Sequence, residues 1–305
     1  MRSTALHSTR DEVSTDMTDP TIPLPTFGQY GVWRQADGLQ PEVGREIEKL
    51  GYTAIWVGGS PPAGLHVVER LLDATESITI ATGIVNIWTA DAHEIAASYH
   101  RIEERHPGRF VLGIGAGHPE AQSDYTRPYA ALERYLDVLD DEGVPTYRRV
   151  LAALGPRVLA LAAARAGGAH PYLTTPEHTH EARTILGEGP LLAPEQKIVV
   201  SRDPDEAREI GREAVANPYL QLSNYVQNLK RSGWTDADIE NGGSDALIDA
   251  LVAHGEAPAI VPRLREHLDA GADHVAVQAL PMAADPIPAL RAIAQELGLE
   301  QDRAR

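Results

Sequence analysis

The sequence predicts an α/β fold, a (β/α)8 barrel with a helical insertion between its seventh and eighth strands. Short β-rich runs alternate with helix-length segments until eight strands are reached. Small and unusual residues gather where those strands end. The chain has 305 residues, 43% of them hydrophobic, which suits one large core.

The first strand falls in TFGQYGVW (26–33), followed by a helix over 41–51 that stops at Gly51. YTAIWVGG (52–59) is strand two and the amphipathic segment 66–76 its helix. SITIATGIVN (77–86) and RFVLGIGAG (109–117) are strands three and four, with a helix over 91–108 between them and one from about Arg127 to Asp141 after them. YRRVLAALG (147–155) is strand five, and Pro156 suits the first turn of the next helix, 156–168. Strands six, seven and eight follow at 169–173, 196–201 and 272–280, with a helix from Pro204 and a last one near 286–298. Residues 218–257 exceed a simple connection and are read as the insertion. Residues 1–22 are polar and aperiodic and are expected to be a disordered leader, leaving 23–305 as a single domain.

The net charge of −17 argues against a general nucleic-acid binder, which needs a basic face. With no cysteine, disulfides, thiolate metal sites and cysteine nucleophiles are excluded. No apolar stretch reaches the roughly 18 residues of a membrane span. These features suit a cytoplasmic protein acting on small molecules. The bias of 24 Arg against 3 Lys points to a GC-rich genome of actinobacterial type.

In VLGIGAGHPE (111–120), Gly113, Gly115 and Gly117 remove side chains as strand four ends, and His118 follows. The spacing is not that of a dinucleotide fingerprint, and no helix starts promptly after it. In a barrel, small residues at successive strand ends open a broad, flat-walled cleft where active sites lie. A planar ring packed on bare backbone is one occupant that would need it.

The order LGYTAIWVGG, ITIATGIVN, GRFVLGIGAG and ALGPRVLALAA resembles the luciferase-like flavin and deazaflavin oxidoreductases over residues 22–299, most closely their actinobacterial branch using coenzyme F420. The resemblance implies a (β/α)8 barrel, usually homodimeric, that transfers hydride at C5 of the deazaflavin to or from a small-molecule substrate. It maps a non-proline cis peptide to Gly83–Ile84, forming a bulge behind the cofactor ring, with Asn86 just beyond. It places Gly115, Ala116 and Gly117 under the cofactor, and Gly59 and Ser60 at the strand-two end near the reacting ring. It puts the cofactor phosphate at Leu154, Gly155, Pro156 and Arg157, where a helix N-terminus attracts anions. The sequence departs from the family in two places. Gly59–Ser60 stands where many relatives carry an acidic residue followed by histidine, and His118 where some sugar-phosphate dehydrogenases carry glutamate.

The remaining candidates keep more than one reading. His118 is either a loop histidine or a general acid that contacts the ring. PEHTHEAR (176–183) is either a helix start capped by Thr174 or Thr175, or a pocket rim where Glu177 and His178 handle a proton. His178 and His180 lack a third ligand cluster, so no metal site is assigned. Trp33 either closes the cleft or fills the core, Trp88 is a candidate to stack on cofactor or substrate, and Trp56 is read as core. An F420-dependent oxidoreductase is therefore expected. The alternatives are an FMN-dependent monooxygenase of the same superfamily and a catalytically silent ligand-binding barrel.

Overall fold

The computed structural model describes residues 27–118 and 127–299. The expected leader lies outside the described residues. Eleven strands form one parallel sheet: β1 (Tyr30–Gln35), β2 (Ala54–Gly58), β3 (Thr79–Thr82), β4 (Val85–Asn86), β5 (Phe110–Gly115), β6 (Arg149–Leu151), β7 (Gly168–Ala169), β8 (Leu191–Leu192), β9 (Glu195–Val200), β10 (Val252–Gly255) and β11 (Val275–Ala279). The hydrogen-bonded path runs β10-β9-β11-β1-β2-β3-β5-β6-β7-β8, with β4 on β5. Only Ala193 and Pro194 separate β8 from β9, so one continuous run of chain carries both ends of that path. Asp273 N donates to Leu192 O at 2.9 Å and Ala276 N to Pro194 O at 2.9 Å, which completes the ring. β3 and β4 are likewise one strand, interrupted at Gly83–Ile84. Counted this way the barrel has the expected eight staves, and β10 is an extra strand on the flank of β9.

Strands of a closed parallel sheet are covered on both faces, so they read as continuous apolar runs. Every residue of β2 and β5 is accordingly buried. Trp56 is fully buried inside the barrel, as its mid-strand position predicts.

The helices are α1 (Pro41–Lys49), α2 (His66–Ala74), α3 (Ala92–Arg105), α4 (Pro128–Asp141), α5 (Pro156–Arg165), α6 (Pro176–Leu186), α7 (Pro204–Ala216), α8 (Ser223–Arg231), α9 (Asp236–Ile239), α10 (Asp245–Leu251), α11 (Ala257–Asp269) and α12 (Ile287–Leu297). Pro at the first turn starts α1, α4, α5, α6 and α7.

Several boundaries differ from the sequence reading. β1 begins at Tyr30, where pairing with β11 begins, and β2 joins from Val32. β6 is short because Thr146–Arg148 forms a 3-10 turn before it. β7 ends at Ala169, ahead of Pro171, which lacks the N–H a ladder needs. The insertion supplies α8, α9 and α10 but closes with a strand, β10, and α11 follows it.

Glu48 shows what holds the lower rim together. Its carboxylate accepts from the backbone N–H groups of Glu76, Ser77 and Ile78 and from Ser77 Oγ, at 2.7–3.2 Å. Burial pushes its pKa up, but these four donors outweigh it and hold the group below the usual carboxylate range. The resulting stability is present above the unfolded-state pKa and lost as pH falls through the folded one. Glu48→Ala is expected to cost about 1–3 kcal/mol at neutral pH and to flatten the acid limb of a Tm-against-pH curve.

Candidate functional site

The site begins where β3 breaks. Thr82 Oγ1 donates to Gly113 O at 2.8 Å and accepts from Gly113 N at 2.7 Å. A Cβ on Gly113 would lie 1.8 Å from Thr82 O, so no other residue fits there. The next peptide, Gly83–Ile84, is cis. Gly83 N donates to Val57 O at 2.8 Å, and Gly83 O accepts from Trp33 Nε1 at 3.0 Å. Ile84 turns toward β5, where a Cβ on Gly115 would stand 3.0 Å from its Cδ1. Two of the three alternating glycines therefore make room for this bulge and not directly for a ligand. Gly117 has φ +63°, and a Cβ there would press on Asn86 Nδ2 at 2.7 Å.

Above the bulge opens a cavity of about 810 Å³ at the C-terminal ends of the strands. Gly83, Ile84 and Asn86 line it from the third stave, and Ala116, Gly117 and His118 from the loop after β5. Gly59 and Ser60 border it at the end of β2, while Leu154, Gly155 and Arg157 border it at the start of α5. Trp33 is 5% exposed and serves as both core and wall, resolving its two readings.

Five expected site residues do not reach the lining. Gly115 backs onto Ile84 and Ala152. Pro156 begins α5 behind Gly155. Trp88 Nε1 donates to Ala116 O at 2.6 Å and braces the loop from outside. Glu177 is exposed in the first turn of α6, where a hydrogen bond from Thr175 helps hold its carboxyl below the usual range. His178 is buried, and its Nε2 donates to Leu154 O at 2.9 Å. Burial lowers its pKa and keeps it neutral, so it props the α5 entrance. Thr175 takes the N-cap position of α6 and Pro176 its first turn, which directs His178 to the neighbouring helix start.

The charge on this wall runs against that of the whole chain. Among the described lining residues are two arginines, Arg157 and Arg231, and neither Asp, Glu nor Lys. Arg157 Cζ lies 4.4 Å above the Tyr129 ring. Arg231 comes from α8, and its Nη2 sits 3.5 Å from where a Cβ of Gly155 would be. Two guanidinium groups converge on the positive end of α5, an arrangement that selects an anion.

Residues 38–141 match the luciferase-like monooxygenase family. This luciferase-like segment runs from α1 to α4 and includes the bulge and the glycine-rich end of β5. No curated protein matches the chain by sequence. Several solved structures share its fold. One is an F420-dependent secondary alcohol dehydrogenase in complex with an F420-acetone adduct, with TM-score 0.70 and 14% identity, covering 90% of this chain and 99% of that one. Another is the F420-dependent tetrahydromethanopterin reductase of Methanopyrus kandleri, at 0.65 and 18%, covering 89% and 98%. A third is the FMN-bound oxygenating component of 3,6-diketocamphane monooxygenase from Pseudomonas putida, at 0.64 and 12%, covering 88% and 96%.

Outside the luciferase-like segment, the fold adds residues that the sequence reading did not assign to the site. His170, Tyr172, Tyr219, Asn224 and Tyr225 all line the cavity. Asn224 Nδ2 donates to His118 Nδ1 at 3.3 Å. Beneath them Lys197 and Glu195 form an ion pair at 3.2 Å, each with 1% or less of its side chain exposed. Burial pushes the Glu195 carboxyl up and the Lys197 ammonium down, and their mutual attraction opposes both shifts. Leu173 N donates to Glu195 Oε2 at 3.1 Å, and Lys197 Nζ to Gln278 Oε1 at 3.3 Å. The sequence signal was EQKIVV, two opposite charges two residues apart and so on one face of an otherwise apolar strand.

Proposed function

We propose that the protein is a coenzyme F420-dependent oxidoreductase acting on a small organic substrate. The observation that carries this reading is the double-arginine wall at the α5 N-terminus, free of carboxylates among its described residues in a chain of net charge −17. Arg157 and the helix terminus suit a phosphate. Arg231, supplied by the insertion, adds a second cation, which suits a side chain that carries carboxylates as well. The flat face over Gly83–Ile84, with no side chain at Gly83 or Gly117, suits a planar ring system. When bound, the deazaflavin supplies a carbon that gives or takes a hydride.

The chain's own residues bind, orient and shield. Trp33 Nε1 holds Gly83 O and keeps the bulge in place. His118 Nδ1 accepts from Asn224 Nδ2 at 3.3 Å. We assign His118, which lines the cavity, to proton exchange with substrate. The test is a fluorescence titration of the full chain with F420 and, separately, FMN. Tight F420 binding with FMN at least tenfold weaker is expected. Preference for FMN, or binding of neither, would overturn the assignment.

A further inference from the structure

Two hydrogen-bond acceptors, one on His170 and one on Tyr219, belong to side chains that line the cavity. His170 is 2% exposed and stacks on Trp56, with ring centroids 4.1 Å apart and planes 10° off parallel. Its Nδ1 donates to Ala193 O at 2.6 Å. That leaves Nε2 as a lone pair, buried and without a protein partner, on a residue that lines the cavity. Desolvation lowers its pKa to about 4, so the ring stays neutral and Nε2 stays an acceptor. Next to it, past Trp33, the protons of two tyrosines are committed in series. Tyr219 Oη donates to Tyr172 Oη at 3.0 Å, and Tyr172 Oη donates to Gln278 Oε1 at 2.9 Å. Gln278 cannot reverse the chain, because Lys197 Nζ also donates to its Oε1 and its own Nε2 faces Met282 Sδ. Tyr219 Oη therefore offers lone pairs and no hydrogen. A cationic ligand is disfavoured there: Lys197 Nζ already sits 3.9 Å from the Tyr172 ring centroid, and no carboxylate is among the described lining residues. The walls between the two acceptors are aromatic, with Trp33 and Tyr172 centroids 5.1 Å apart.

We propose that this part of the cavity is a subsite for a neutral substrate carrying two hydroxyl groups on an apolar frame, their hydrogens accepted by His170 Nε2 and Tyr219 Oη. It rests on the proposed function only in placing the cofactor above it, against the bulge. The buried Lys197–Glu195 pair acts as a positioning element, since it fixes Gln278 and through it the direction of the tyrosine chain.

The test is calorimetric titration of the full chain with catechol, guaiacol and veratrole, one ring bearing two, one and no O–H groups. Each lost hydroxyl is expected to weaken binding about tenfold, because it leaves one buried acceptor unpaired. Tyr219→Phe and His170→Phe should each remove one step of that ladder. If His170→Phe does not fold, Tyr219→Phe alone decides the matter. Equal binding of catechol and veratrole, a full ladder surviving in Tyr219→Phe, or no saturable catechol binding would each overturn the proposal. F420 affinity is measured on the same proteins by fluorescence. Its absence counts against the proposed function, whereas the ladder alone judges the subsite.

Discussion

Lys197→Met is expected to destabilise the protein by about 3–5 kcal/mol, the cost of stranding one member of a buried ion pair. Lys197 and Glu195 sit inside the barrel wall with almost no exposure. Without the ammonium, the Glu195 carboxylate keeps the Leu173 N–H as a donor. Gln278 Oε1 loses one of its two donors as well. The double change Glu195→Gln with Lys197→Met should recover most of the loss, because no charge is then left in the interior. Urea unfolding measures both variants, with a shifted midpoint and an unchanged slope marking a change in stability. A loss below 1 kcal/mol in the single variant would show that the pair is not desolvated as the structure places it.

Arg157→Glu is expected to weaken F420 binding by about a hundredfold, since a charge-assisted contact contributes about 1.5–3 kcal/mol and each 1.4 kcal/mol is a factor of ten. The arginine is exposed on the first turn of α5, and its one described packing contact is with Tyr129. The fold should therefore tolerate the change. Arg45→Glu on α1, whose partner is the exposed Glu42, is the matched control and should leave binding unchanged. Raising ionic strength should narrow the gap between Arg157→Glu and the parent, as screening weakens exposed charges.

Much of the barrel was legible because its strongest signals are local. AIWVG and FVLGIG are unbroken apolar runs, and proline marks the first turn of seven of the described helices. What escaped was short or long-range. β8 has two residues and β10 four, too few to show a period. His170, Tyr219 and Arg231 are far apart in the sequence and meet only when the barrel closes and the insertion folds over it. The glycines of GIGAG were visible, yet Gly113 and Gly115 serve Thr82 and Ile84, neighbours contributed by another stave. The polar run at 176–183 looked like a site for the same reason it starts a helix. Its histidine that matters structurally, His178, supports Leu154 from behind.

The central claim is that the α5 terminus and the Gly83–Ile84 bulge together hold one phosphorylated, planar cofactor. A crystal structure of the full chain grown with F420 tests it most directly. The account predicts the ring against Gly83–Ile84, the phosphate on the backbone of Gly155 and Arg157, and Arg231 beside the anionic tail. A cofactor bound with its phosphate away from α5, or with its ring off the bulge, would contradict it.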